Sequence, residues 1–133
     1  MRVFITEDSP VIRERLREML DSIPCVELAG ESDNEAGAMR GICTIQPDVV
    51  ILGFSSARDN LEVLRLIRKE PLSVRVIVMT NKVHSLYRKK CMDSGADHFL
   101  DKSRDIAVLN NLLSGLAAKS GPGIGLAAKR GNE

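Results

Sequence analysis

The chain predicts an α/β fold with one five-stranded parallel sheet and helices on both of its faces. Three features point to it. Short apolar runs alternate five times with segments of helical periodicity. The two central runs, Val49-Val50-Ile51-Leu52 and Val74 to Thr80, are almost wholly apolar, as strands covered on both faces require. Strands separated by helices make βαβ units, and those place helices on each side of a parallel sheet.

The first strand is expected over Arg2 to Thr6. Ser9-Pro10 then starts a helix, with a capping hydroxyl before a residue whose missing N–H costs nothing there. Val11, Ile12, Leu16, Met19, Leu20 and Ile23 follow at helical spacing until Pro24. Val26 to Ala29 reads as a second strand. Asp33 is the expected cap of a second helix carrying Ala36, Met39, Ile42 and Cys43, ended by Pro47. Asp48 to Leu52 gives the third strand. The polar stretch Ser55 to Asn60 leads to a helix marked by Leu61, Val63, Leu64 and Ile67 and closed by Pro71. After the fourth strand, His84 to Asp93 makes a polar, basic helix whose core anchors are Leu86, Tyr87 and Cys91, with Gly95 as its C-cap. Ala96 to Leu100 is the fifth strand. In the last helix, Asp105 to Ala118, residues Ile106, Leu109, Leu112, Leu113 and Leu116 are expected to face inward.

The chain has 133 residues, enough for one core, and divides into a domain at 1–119 and a flexible Gly-, Ala- and Lys-rich tail at 120–133. Within the tail, Gly121-Pro122-Gly123-Ile124-Gly125 follows no strand and lacks a Gly-Lys-Ser/Thr ending, so it reads as a linker and not a phosphate loop. A net charge of +1 and 3% aromatic residues give no basis for direct nucleic-acid binding. No apolar run approaches the ~20 residues that span a bilayer, which predicts a cytoplasmic protein without a membrane partner. Cys25, Cys43 and Cys91 form no CxxC pair and are read as buried thiols in a reducing compartment.

In an open parallel sheet, ligands bind beyond the carboxyl ends of the strands. There the sequence places Glu7 and Asp8 after the first strand, Gly53 after the third, Thr80 at the end of the fourth and Asp101-Lys102 after the fifth. These pieces, with Pro47-Asp48-Val49-Val50-Ile51-Leu52, Gly95-Ala96-Asp97 and Phe99-Leu100-Asp101-Lys102-Ser103, resemble the receiver domain of bacterial response regulators from Met1 to about Lys119. The resemblance implies a flavodoxin-like (βα)5 fold with strand order 2-1-3-4-5 and a non-enzymatic role in two-component signalling. It further implies a Mg²⁺ site at Glu7 and Asp8, a phosphate-neutralising Lys102, a switch hydroxyl at Thr80 and a switch aromatic at Phe99.

The sequence departs from the family at Gly53, where the resemblance expects a phosphoacceptor aspartate. A glycine has no carboxylate to attack a phosphoryl group or to ligate a metal. The next loop, Phe54-Ser55-Ser56-Ala57-Arg58-Asp59-Asn60, also lacks the family's Pro and Gly. The reading is a receiver that acts through protein–protein interaction without phosphorylation, its Mg²⁺ site weakened. The alternative moves the acceptor to a substitute such as Asp59, against which stands the poor positioning of a loop carboxylate. Ser55 and Ser56 lack an adjacent base, and His84 and His98 lack metal-ligand spacing.

Side chains of adjacent strand residues point to opposite faces, so one carboxylate of the acidic pair, Asp8, is expected to enter the crevice and meet Lys102. The plain reading of Thr80 is a β-former with a satisfied hydroxyl. Arg88, Lys89 and Lys90 make a basic run that is ordinarily a solvated face. The resemblance makes it part of a surface formed by the fourth helix, fifth strand and fifth helix, where a sensor kinase, an output protein or a second copy docks.

Overall fold

The computed structural model describes residues 1–120, so the tail segment 121–133 and its Gly-Pro-Gly run lie outside the described residues. Ten elements alternate without exception: β1 (Arg2–Thr6), α1 (Pro10–Asp21), β2 (Glu27–Ser32), α2 (Glu35–Ile45), β3 (Val49–Leu52), α3 (Ala57–Lys69), β4 (Arg75–Thr80), α4 (Ser85–Asp93), β5 (His98–Asp101) and α5 (Ile106–Ser120). The strands form one sheet in the order β2-β1-β3-β4-β5, and each neighbouring pair is parallel. This is the expected doubly wound order, with β1 and β3 adjacent at the point where the winding reverses.

Alternation along the central strands divides the core into two layers. Val3, Ile5, Val49, Ile51, Ile77 and Met79 pack with Leu16 and Leu20 of α1 and Leu109 and Leu113 of α5. Phe4, Val50, Leu52, Val76 and Val78 face the other way, onto residues of α2, α3 and α4. All four residues of β3 are buried. The near-continuous apolar runs are thus explained by burial on both faces.

Local departures follow physical causes. β2 continues to Ser32 because its ladder with β1 continues, Thr6 pairing with Ser32. An edge strand is covered less completely, so the apolar run understates its length. The cap of α2 is Asn34, whose Oδ1 accepts from the Gly37 N–H at 2.8 Å, and Asp33 stays outside. That helix ends at Ile45, and its C-cap Gln46 stands just before Pro47 in the left-handed region with φ 53°. α3 begins within the stretch expected as loop, since the Ser56 hydroxyl accepts from the Asp59 N–H at 3.2 Å. α1 starts on Ser9 as expected but stops at Asp21, before Pro24. Val11, Leu86 and Ile106, expected inward, are exposed by 68%, 63% and 43%. Of the cysteines only Cys91 is buried; Cys25 and Cys43 are exposed, which corrects the reading of three core thiols.

Candidate functional site

The carboxyl ends of β1, β3, β4 and β5 converge as the sequence required, but the charges pair differently. Glu7, not Asp8, is the carboxylate that enters the crevice. Glu7 extends the β1 ladder, its N–H donating to the Ser32 carbonyl at 3.0 Å, and its side chain has no exposure to solvent. Lys102 N–H donates to the Thr80 carbonyl at 3.0 Å, which carries the lysine beyond β5 and over the sheet end. The Lys102 ammonium lies 2.9 Å from Glu7 Oε1 and donates to Oε2 at 3.1 Å. It also donates to the Gly53 carbonyl. Only 5% of the Lys102 side chain remains exposed. Ser9 N–H donates a further bond to Glu7 Oε2 at 3.0 Å. Burial pushes the Glu7 carboxyl above its ordinary range, and the Lys102 and Ser9 donors offset only part of that push.

Gly53 forms the floor of this arrangement. Its N–H donates to the Thr6 carbonyl at 2.9 Å, and its backbone is not in the left-handed region. The residue is therefore accommodated for its lack of volume and not for its φ. A Cβ there would stand 2.8 Å from Glu7 Oε1 and 3.4 Å from Lys102 Cε. The lysine and the glutamate together fill the space a side chain at position 53 would enter.

Asp8 is exposed and turned toward the loop after β3. Its carboxylate accepts from Ser55 N–H at 3.0 Å and from the Ser55 hydroxyl at 2.9 Å. Partial burial opposes ionisation, but these donors hold the Asp8 carboxyl below its ordinary value. The loop is tied from other sides as well. Lys82 donates from Nζ to the Ser55 carbonyl at 2.9 Å. The fully buried Asn60 of α3 bonds both backbone groups of Phe54 and also the Tyr87 hydroxyl. Sequence reasoning passed over Asn60 as one more polar loop residue. The signal was available in its spacing, three residues before Val63 and four before Leu64 on the buried face of α3.

The remaining candidates divide between the crevice rim and the surface. Thr80 is buried at 2% exposure, and its Oγ1 accepts from Lys82 N–H at 2.9 Å. Phe99 is buried with its ring 5.5 Å from that of Tyr87, edge to face, and the Arg88 guanidinium lies 5.5 Å from the ring centroid. Arg88, Lys89 and Lys90 are exposed, and Lys89 pairs with Asp93 one turn along α4 at 2.8 Å. Asp59 sits in the first turn of α3, and this neighbouring acidic group pushes the Glu35 carboxyl of α2 above its ordinary value. Ser55 and Ser56 hydroxyls are spent on Asp8 and on capping α3. His84 precedes α4 without a side-chain capping bond, and His98 lies half-buried on β5.

A Mg²⁺ ion requires several oxygen ligands free to turn toward it. Here Glu7 faces an ammonium group and Asp8 faces two serine donors. Among the described residues no three carboxylate, histidine or cysteine groups come together as a metal-holding cluster. The side chains as arranged do not fit the Mg²⁺ site that the resemblance implied at Glu7 and Asp8. Nor does Asp8 contact Lys102, as expected; the side chain of Glu7 takes that place because the loop after β3 supplies Asp8 with donors of its own. Among the described residues, no helix is long and apolar enough to cross a membrane.

Residues 3–114 match the family model described as response regulator receiver domain. The chain is 29% identical over 118 residues to the virulence factors putative positive transcription regulator BvgA of Bordetella pertussis, across 88% of this chain and 56% of that protein. It is 29% identical over 123 residues to the DNA-binding transcriptional activator EvgA of Escherichia coli K12, across 91% of this chain and 58% of that protein. It therefore spans little more than half the length of these curated relatives. Among solved structures it is similar to a DNA-binding response regulator of the LuxR family from Staphylococcus aureus, with a TM-score of 0.77, 28% identity, and coverage of 87% of this chain and 98% of that one. The signal receiver domain of the putative response regulator NarL from Mycobacterium tuberculosis shares the fold at a TM-score of 0.77, with 24% identity and coverage of 88% and 95%. The family match over most of the chain, together with the strand order and the convergence of Glu7, Thr80 and Lys102 beyond the sheet, places this chain in the response regulator receiver domain family.

Proposed function

We propose that this receiver domain signals without being phosphorylated, as a protein-binding module of a two-component system. The observation that carries this reading is the closed contact of Lys102 with Glu7 and the Gly53 carbonyl. Acyl-phosphate chemistry needs a carboxylate nucleophile held in line, with cationic groups free to neutralise the phosphoryl oxygens. At the end of β3 there is no side chain to act as nucleophile, and the lysine that would neutralise the phosphoryl oxygens is already paired with Glu7. The pocket thus holds internally the charge balance that a ligand would otherwise complete. Asp59 gains no support as a substitute acceptor, since it sits in the first turn of α3 and not at the end of β3, where the Gly53 carbonyl meets Lys102.

Receiver domains work by contacting kinases and output domains. For this chain the docking surface we assign is the face formed by α4, β5 and α5, where the basic run Arg88-Lys89-Lys90 adjoins exposed Leu86 and Val83. The partner is a sensor kinase, an output protein or a second copy of the chain. The curated relative EvgA is a DNA-binding transcriptional activator, but the near-neutral charge of this chain gives the receiver module itself no electrostatic case for DNA.

Incubation with Mg²⁺ and a small phosphodonor, read by intact mass, tests the first claim. The expected result is an unchanged mass. A phosphoryl adduct that hydroxylamine removes would mean that the chain retains an acceptor carboxylate and that the reading is wrong.

A further inference from the structure

Asn60 has no solvent exposure, and a buried carboxamide is costly unless each of its groups is bonded. Its Oδ1 accepts from Phe54 N–H at 2.9 Å. Its Nδ2 donates to the Phe54 carbonyl at 3.0 Å and to the Tyr87 hydroxyl at 3.1 Å. One side chain of α3 thereby joins the β3–α3 loop to α4. Among common side chains only a carboxamide can accept from one backbone N–H, donate to the carbonyl of the same residue and keep a proton for a third group. Asp lacks the donors, and Leu lacks all three.

Both ends of this bridge lead onward. On the loop side, Phe54 is flanked by Gly53, whose carbonyl receives Lys102, and by Ser55, whose N–H and hydroxyl are held by Asp8. On the helix side, the Tyr87 ring packs edge to face on Phe99, and Arg88 lies over the same Phe99 ring while belonging to the exposed basic run. Hydrogen bonds, the Gly53–Phe54 peptide link and two ring contacts together join the Lys102–Glu7 pair to the outer face of α4. The helix depends on it: Tyr87 and Cys91 are its only buried residues.

We propose that Asn60 is a positioning residue that couples the sealed crevice to the α4–β5 docking face through the Tyr87 hydroxyl. A partner that shifts α4 loosens the loop over Lys102, and a change in that loop alters the surface offered to the partner. This rests on the assignment of the α4–β5–α5 face as the docking surface. It adds the means by which that face is held in one shape.

The chain has one Tyr and no Trp, so tyrosine fluorescence reports on Tyr87 alone. The ring is buried, which shields its emission from a soluble quencher. In Asn60→Ala, a coupled α4 loosens and quenching by acrylamide at neutral pH rises. Quenching equal to that of the native chain overturns the proposal.

Tyr87→Phe keeps the ring on Phe99, removes only the hydroxyl, and decides the matter should Asn60→Ala not fold. Its readout is hydrogen exchange at the Phe54 amide, which touches Asn60 and not Tyr87. Exchange is expected to quicken by about tenfold relative to the amide of Val50 in the buried β3, the equivalent of one hydrogen bond. An unaltered ratio overturns the coupling. Neither measurement involves a phosphodonor, so phosphoryl uptake would defeat the phosphorylation-independent reading and leave this one standing. Arg88→Glu with no loss of partner binding would defeat the docking assignment, again independently of the amide exchange.

Discussion

Two clusters of opposite charge flank α1, and their distances hardly differ. In the crevice, Lys102 and Glu7 stand 2.9 Å apart. Between α1 and β2, Arg17 and Arg13 approach Glu31 at 2.7 and 3.2 Å, and Arg17 also contacts Glu14. What separates the clusters is water. The Lys102 and Glu7 side chains are 5% and 0% exposed, whereas those of the α1–β2 cluster range from 19% to 56%. Coulomb energy depends on the local dielectric as much as on separation, so equal distances do not imply equal consequences. The buried pair constrains the shape of the site, and the exposed network decorates a surface.

The largest expected effect comes from removing one member of the buried pair. Lys102→Ala leaves Glu7 enclosed without its counter-ion and should cost about 3–5 kcal/mol at neutral pH, read by urea unfolding. The loss should depend on pH with a definite sign. The folded-state pKa of Glu7 is raised above its ordinary 4.5, so the native state holds that proton more tightly than the unfolded chain does. Stability from this group is full below the unfolded value and is lost as pH rises through the folded one. The deficit of Lys102→Ala should therefore shrink toward about pH 4. In Glu7→Gln/Lys102→Met the pH-dependent part disappears. Asp8, one residue on, has the opposite sign: its pKa is lowered from 3.8, so its contribution is present above that value and is lost as pH falls. A Lys102→Ala deficit that stays constant with pH would show that charge burial is not its cause.

A smaller effect is expected at Gly53. An alanine at a position with ordinary φ usually stabilises by about 0.4–1 kcal/mol, because it restricts the unfolded chain. Here the added Cβ falls 2.8 Å from Glu7 Oε1. That carboxyl is the far end of a side chain, but Lys102 and Ser9 hold it in place. Gly53→Ala should thus destabilise by about 1–3 kcal/mol, as overpacking does. In a Glu7→Ala background the penalty should shrink, leaving the approach to the Thr6 carbonyl at 3.3 Å. A neutral or stabilising Gly53→Ala in the native background would mean that the carboxyl yields easily and that the crevice is looser than the pairing suggests.

The sequence carried the fold well because the fold follows from periodicity. β3 is apolar throughout and β4 nearly so, Ser9-Pro10 starts α1, and the strand order was what the resemblance to receiver domains implied. The identity of the residues at the crevice was equally legible: Glu7, Asp8, Gly53, Thr80 and Lys102 all sit at strand ends. What the sequence could not express is which of two adjacent carboxylates turns inward. Glu7 is the last residue held in the β1 ladder, and which carboxylate turns inward depends on donors from other segments, Ser55 for Asp8 and Lys102 for Glu7. The burial of Asn60 was legible in its spacing on α3, but its bond to Tyr87, 27 residues away, was not. Val11, Leu86 and Ile106 lie outside the buried stripes because helical spacing identifies apolar residues but does not say where a stripe ends, as in α4, where only Tyr87 and Cys91 are buried.

The smallest expected effect lies at Arg17, where the bonds look best on paper. Its guanidinium donates to both oxygens of Glu31 and also contacts Glu14, and these carboxylates raise its pKa further. Yet all three partners remain in contact with water, which already solvates each charge and screens the attraction between them. Arg17→Ala should leave the thermal midpoint nearly unmoved, and added salt should erase whatever shift remains. Salt should do little to Lys102→Ala, because ions do not enter a contact closed to solvent. Thermal unfolding of both variants at low and high ionic strength measures the contrast directly. A salt-resistant loss at Arg17 comparable to that at Lys102 would mean that geometry, and not exclusion of water, sets the weight of a charge pair in this domain.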